Sequence, residues 1–539
     1  MPDALPLVIE DLSFEYRTRP GLALKNISLT VQPGELLLVA GASGCGKSTL
    51  IRAINGLIPR SYKGNLAGSI QIYGNDPRSL SLAKISQMVG TVLQDPERQI
   101  LGTKVISEVA FGLENLGLPR PEILQRVDEA LAYLKIPHLR DRETFHLSGG
   151  EKQKVALAGV LAMRPRVLLL DEPLASLDPA SAVEALELVR RITDEGLTVI
   201  LVEHRVEDVL KIVPDRVLFM MNGEIRYLGA PAGLVNQIDY HEVKLPAEMI
   251  KQKAAADAPP PSLQFLPGAA DKSRSAEPLV RFENVAFGYE AETEVLHGIS
   301  LDIRRGDVIA VLGPNGAGKT TFVKHAIGLL KPKAGRVLVD TFDTRQASVA
   351  EIAKNIGYVF QSPSHMLFAP TVREELAFGP TNLRHPAHEI ERDVKEALRI
   401  VNLMEKENDS PLSLSFGQQK RASIAAILSM RSRILVMDEP TAGQDYKNYL
   451  SFMDAILQLP SFEAILFITH DVDLAVIYAN RVILIADGQV AADGPPTEVL
   501  SDYERLKACR LVPTSLLDIN LKALPHTGRF MRAEALAHM

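Results

Sequence analysis

Gly41-Ala42-Ser43-Gly44-Cys45-Gly46-Lys47-Ser48 follows the apolar run 36–40 and precedes a helical pattern. The same frame returns as Gly313-Pro314-Asn315-Gly316-Ala317-Gly318-Lys319-Thr320 behind another apolar run. A glycine-rich turn between a buried strand and a helix lets backbone N–H groups converge on phosphate oxygens at the helix N-terminus. The lysine neutralises phosphate charge, and the Ser or Thr hydroxyl is a Mg²⁺ ligand. Two occurrences in register make a chance glycine turn a poor explanation. They also show that the chain is an internal repeat.

The repeat extends outward from these loops. Both copies open on an alternating strand that ends in an aromatic, Leu12-Ser-Phe-Glu-Tyr16 and Val285-Ala-Phe-Gly-Tyr289. Both place four apolar residues before a carboxylate pair, Asp171-Glu172-Pro173 and Asp438-Glu439-Pro440. The copies are offset by 272 at the P-loop lysines and by 267 at the carboxylate pairs, so a few loop deletions account for the drift. Strands that are apolar throughout belong to a mostly parallel sheet covered on both faces, and the expected fold class is α/β. The first acid of each pair, Asp171 or Asp438, can hold Mg²⁺ through water. The second, Glu172 or Glu439, can polarise an attacking water.

The chain has 539 residues, 46% of them apolar, and a formal net charge of −7, which gives no basic footprint for nucleic acid. Two cysteines, Cys45 and Cys509, cannot build a disulfide framework, in keeping with a reducing compartment. No secretory signal or membrane-spanning run is expected, so a membrane function would need other chains to supply the spans. The sequence divides into a first domain over 5–240, a Pro/Ala-rich linker over 241–278, a second domain over 279–505 and an extension over 506–539 that the first copy lacks. Cys45 reads as a tolerated small residue, though alkylation there would block nucleotide binding.

Between P-loop and carboxylates stand Leu147-Ser148-Gly149-Gly150-Glu151 and Leu414-Ser415-Phe416-Gly417-Gln418. Together with the P-loops and the Asp-Glu-Pro strands, they resemble the ATP-binding-cassette (ABC) ATPases across nearly all of both repeats. The resemblance implies two P-loop domains, each with an antiparallel β subdomain and a helical signature subdomain. It also implies ATP and Mg²⁺, and head-to-tail pairing in which the signature of one copy closes on the nucleotide of the other. ATP binding then falls to Tyr16, Gly41, Ser43, Gly44, Gly46, Lys47, Ser48 and Thr49, with Ser148 and Gly150 serving the opposite site. The second set is Tyr289, Gly313, Asn315, Gly316, Gly318, Lys319, Thr320 and Thr321, with Ser415 and Gly417. The tyrosines would stack on adenine. Mg²⁺ ligation would involve Ser48, Gln94, Asp171, Thr320, Gln361 and Asp438. His204 and His470 would reach the γ-phosphate, and Asp178 and Asp445 would lie at the domain interface. Phe416, Gln444 and Tyr446 depart from the family pattern, but both Asp-Glu pairs remain, so two hydrolysis-competent sites are expected.

The runs from Gln94 to Gly117 and from Gln361 to Asn382 resemble, more narrowly, the ATPases of energy-coupling-factor importers for vitamins and transition metals. That implies two integral membrane partners, a scaffold and a substrate-binding protein, at the cytoplasmic face of the cell membrane. With both cassettes in one chain, a homodimer is not required. Tandem ATPases of sugar or peptide importers are the competing reading, and ribosome-associated tandem cassettes a weaker one, since those carry a long charged helical linker.

Overall fold

The computed structural model describes residues 4–18, 20–42, 44–175, 177–241, 243–255, 277–290, 293–441, 446–459 and 462–539. The expected site residues Ser43 and Asp445, the departure Gln444, and most of the expected linker lie outside them. The chain divides into two compact units between Leu245 and Pro246.

In the first unit, β1 (Leu7–Tyr16) turns Leu7, Ile9, Leu12 and Phe14 inward by alternation and pairs antiparallel with β2 (Leu22–Val31). β3 (Leu36–Gly41) belongs to another sheet, and β4 (Gly64–Gln71) completes the first in the order β2-β1-β4. The remaining strands are β5 (Val89–Val92), β6 (Val167–Asp171), β7 (Thr198–Val202), β8 (Arg216–Met221) and β9 (Glu224–Gly229). Their sheet has the order β5-β6-β7-β3-β8-β9, parallel except for the β8/β9 hairpin. Each parallel strand is an apolar run because both of its faces are buried. The carboxyl ends of β3 and β6 carry the P-loop and Asp171-Glu172, and because both strands run parallel to the β7 between them, both are delivered to one edge of the sheet.

The second unit repeats this plan with β10 (Val280–Phe287), β11 (Leu296–Ile303), β12 (Val308–Leu312), β13 (Ala334–Val339), β14 (Phe342–Asp343), β15 (Ile356–Val359), β16 (Ile434–Asp438), β17 (Ala464–Ile468), β18 (Arg481–Ala486) and β19 (Gln489–Gly494). Its sheets run β11-β10-β13-β14 and β15-β16-β17-β12-β18-β19. The stretch read as linker contains a helix, Ala247–Ala254, whose Ala247, Ile250 and Ala254 share a buried face. It packs on two helices of the C-terminal extension, Ser515–Thr527 and Ala533–Leu536, and the Ala247 N–H donates to Ser515 Oγ at 2.7 Å. Small residues at helical spacing hid this helix in the sequence. The extension also packs on helix Val472–Tyr478, where Arg532 meets Asp454 and the Tyr478 hydroxyl.

Candidate functional site

Gly41 adopts φ 149° and Gly313 φ 151°, and a Cβ there would stand 2.3 Å from the Met220 carbonyl oxygen or 2.0 Å from that of Ile485. Only glycine fits where each P-loop leaves its strand. Each loop closes on an eight-residue helix, Lys47–Ile54 or Lys319–Ala326, capped by left-handed Gly46 or Gly318. Lys47 Nζ donates to the carbonyl oxygens of Gly41 and Ala42 at 2.8 and 3.0 Å. Lys319 Nζ does the same to Gly313 and Pro314 at 2.8 and 2.9 Å. The ammonium therefore bridges the mouth of its own loop in both copies. Tyr16 and Tyr289 lie at the loop's side, their hydroxyls 3.1 and 3.2 Å from Thr49 Oγ1 and Thr321 Oγ1. Arg52 also donates to the Tyr16 hydroxyl, and Tyr289 is largely exposed.

Glu172 and Glu439 both take left-handed backbone, φ 49° and 46°, which disfavours a residue with a Cβ. The strand ladder holds them there: the Glu172 N–H donates to the Val202 carbonyl oxygen and that of Glu439 to the Ile468 carbonyl oxygen, each at 2.9 Å. In the first copy Gln94 Nε2 donates to Glu172 Oε2 at 2.6 Å, and His204 Nε2 lies 2.8 Å from Oε1. In the second, His470 Nδ1 lies 2.9 Å from Glu439 Oε1, and Thr469 Oγ1 donates to Oε2 at 3.3 Å. Gln361 is exposed, and its carbonyl oxygen faces Lys420 at 2.7 Å. Burial works to raise the Glu172 carboxyl, but His204, Lys47 and Gln94 outweigh it and leave it below the ordinary range. A carboxylate held ionised in this way can accept a proton from water.

The neighbouring acids fit Mg²⁺. Asp171 Oδ1 is buried with no hydrogen-bond partner, and burial, then the Glu172 charge, pushes its carboxyl up to about 6. An orphaned carboxylate oxygen of this kind is what a divalent cation satisfies. Asp438 Oδ2 accepts from Thr320 Oγ1 and from the Tyr358 hydroxyl, both at 3.0 Å, which joins the P-loop hydroxyl to the carboxylate as a Mg²⁺ pair. Burial raises Asp438 as well. Ser48 with Asp171, and Thr320 with Asp438, would hold the ion, which supplies charge neutralisation on the phosphates.

Ser148 and Ser415 each cap a helix, Gly149–Ala162 or Phe416–Leu428, in a capping box with Glu151 or Gln418. Gly150 and Gly417 lie in those first turns, and a Cβ at Gly417 would meet nothing within 4 Å. Asp178 caps helix Pro179–Asp194 by accepting from the Ser181 N–H at 2.9 Å.

Beside the carboxylate pairs, two buried ionisable residues, the acid Glu203 and the base Lys420, escaped sequence reading. Glu203, one residue before His204, accepts from the backbone N–H groups of Leu174, His204 and Arg205 at 2.8, 3.0 and 3.3 Å. Burial, then Glu172, pushes it up to about 7. The second copy has neutral Thr469 at that position. Lys420, fully buried, stands where the first copy has Gln153. Burial lowers its ammonium to about 8, with Asp438 and Glu439 opposing. Its signal in the sequence was its spacing from Ser423, Ile424 and Ile427, which places it on the buried face of its helix.

A P-loop behind a parallel strand, with an Asp-Glu pair from the sheet beside it, defines a P-loop nucleotide hydrolase. The profile of the ABC transporter family matches residues 24–175 and 296–442, once per repeat. A relative in Methanosarcina mazei, named as an ABC transporter ATP-binding protein, is 37% identical and covers 94% of this chain and 91% of its own length. One of the same description in Streptococcus pneumoniae is 38% identical, with 95% of each chain covered. The solved structure of cbiO1 from Clostridium perfringens, titled as part of the ABC transporter complex cbiONQ, is 30% identical with a TM-score of 0.40; it covers 49% of this chain and 100% of its own. The chain belongs to the ABC transporter ATP-binding family and is an ATP hydrolase carrying two ABC ATPase domains. Among the described residues no helix is long and apolar enough to cross a membrane.

Proposed function

We propose that the chain is the ATP-hydrolysing, energy-coupling subunit of an importer of the energy-coupling-factor type, taking up a vitamin or a transition metal. It works at the cytoplasmic face of the membrane on a separate scaffold and a substrate-binding membrane protein. Each copy supplies a P-loop, Mg²⁺ acids and a glutamate, so one chain carries both sets. Lys47 or Lys319 neutralises the phosphates, Glu172 or Glu439 takes the proton of the attacking water, and His204 or His470 orients the glutamate. Tyr16 and Tyr289 stack on adenine.

The observation that carries the transport reading is the apolar surface beside each glutamine. Phe368 is 61% and Phe378 51% exposed, their rings edge to face at 4.8 Å, and Leu101 (69%) and Phe111 (46%) hold the same positions in the first copy. Val109, Leu113 and Leu376 on the same helices are buried, so the helices are already packed and the outer residues are surplus to that packing. A repeated apolar surface is what a coupling helix of a membrane partner would cover. Tagged chain purified from its native host in mild detergent tests this by mass spectrometry. Recovery of a multi-span scaffold and a small integral membrane protein supports it. Ribosomal subunits in their place, with ATPase stimulated by ribosomes, would overturn it.

A further inference from the structure

The signature helix Phe416–Leu428 carries a charge where its buried face should be apolar. Lys420 is fully buried, and its Nζ is shared among four backbone carbonyl oxygens: Gln361 at 2.7 Å, Glu439 at 3.2 Å, Phe360 at 3.3 Å and Asp438 at 3.5 Å. These oxygens belong to two segments just beyond the β15/β16 pairing, which ends at Val359 and Met437. One is the chain leaving β15 with Gln361, and the other is the end of β16 with the Asp438-Glu439 pair. A buried ammonium must be solvated by protein oxygens, and removing it leaves carbonyls without their donor. In the first copy Gln153 stands in this place, is neutral, and donates to the Pro173 carbonyl oxygen.

We propose that Lys420 is a positioning residue for hydrolysis at the second P-loop, locking the Gln361 loop, the Asp438-Glu439 strand end and the signature helix into one rigid arrangement. It acts through the backbone of Gln361 and Glu439. The inference rests on the proposed roles of Gln361 and Glu439. Its consequence is a functional difference between the copies: the second ties its glutamine loop to its signature helix through a buried ammonium on backbone carbonyl oxygens, the first through the ion pair of Lys152 with the largely exposed Glu97.

The test is a double-mutant cycle on the full chain, measuring steady-state ATP hydrolysis of Lys420→Gln, Gln361→Ala and the pair. Lys420→Gln introduces the residue that the first copy already accommodates at this position. Its expected effect is a fall in kcat of roughly three- to tenfold with KM for ATP within about twofold, the pattern of a contact that matters after binding. If Lys420 acts through the glutamine loop, the same substitution in the Gln361→Ala background lowers kcat less than about twofold. Additive losses, or an unchanged kcat in Lys420→Gln, would overturn the proposal. Should Lys420→Gln not fold, the neutral and similarly sized Lys420→Met takes its place in the cycle under the same criterion. Glu439→Gln measured alongside separates the two claims. If it leaves kcat intact, the assigned role of Glu439 fails; if it lowers kcat while the cycle is additive, Lys420 alone is misassigned.

Discussion

His204 Nε2 lies 2.8 Å from Glu172 Oε1. With Gln94 on the other oxygen, the glutamate is gripped from both sides on a strained backbone. Losing the ring removes the largest influence that holds the carboxyl low against burial and leaves one of its oxygens without its partner. His204→Ala should therefore lower kcat by roughly tenfold or more with little change in KM, as positioned acid–base groups do. Steady-state kinetics read this directly, and an unchanged kcat would remove His204 from the mechanism.

Asp171 gives the first site a dependence on acidity. Its carboxyl, raised to about 6, must be ionised to take Mg²⁺, so protons and the cation compete for it. Lowering the pH from 7.5 to 5.5 should raise the half-activating Mg²⁺ concentration about fourfold in a Glu439→Gln variant, where the first site is the one left intact. Mg²⁺ titrations of ATPase activity at the two pH values check this. A half-activating concentration independent of pH would contradict it.

Glu203 links stability to pH with the opposite sign from a salt-bridged acid. Its folded value of about 7 lies above the unfolded one, so its stabilisation is fully present at low pH and is lost as pH rises through 7. Wild type should lose on the order of 2 kcal/mol between pH 5 and 8 relative to Glu203→Gln. Thermal melts of both proteins at both pH values measure the difference. Parallel pH profiles would show that Glu203 is ionised in the fold throughout.

The P-loops, the Asp-Glu strands and the repeat were legible because each is a contiguous pattern whose spacing dictates its geometry. Leu36 to Gly41 could only be a buried strand, and a glycine loop with lysine behind it could do little else. Other features depend on residues far apart in sequence. The positive φ of Glu172 arises from its ladder bond to Val202, and nothing in Asp-Glu-Pro announces it. The Gln94–Glu172 bond spans 78 residues, and Lys420 solvates carbonyls 59 residues away. Helix Ala247–Ala254 read as linker because the surface that covers it lies at the other end of the chain.

A buried polar contact ties the extension to the second unit's helices. Arg532, mostly buried, bridges Asp454 and the Tyr478 hydroxyl at the end of the helix that follows His470. Removing one partner of such a pair leaves the other unpaired, so Arg532→Ala should cost about 2 kcal/mol. Thermal unfolding should shift down by several degrees. A melting temperature unchanged by the substitution would mean that this contact contributes no stability.

Turnover of Glu172→Gln, Glu439→Gln and the double variant bears most directly on the central claim of two working ATP sites in one chain. The geometry at both glutamates predicts that each single variant loses a large part of the wild-type rate, and that the double variant falls to background. Wild-type turnover in either single variant would contradict it, leaving one site catalytic and the other a binding site for ATP.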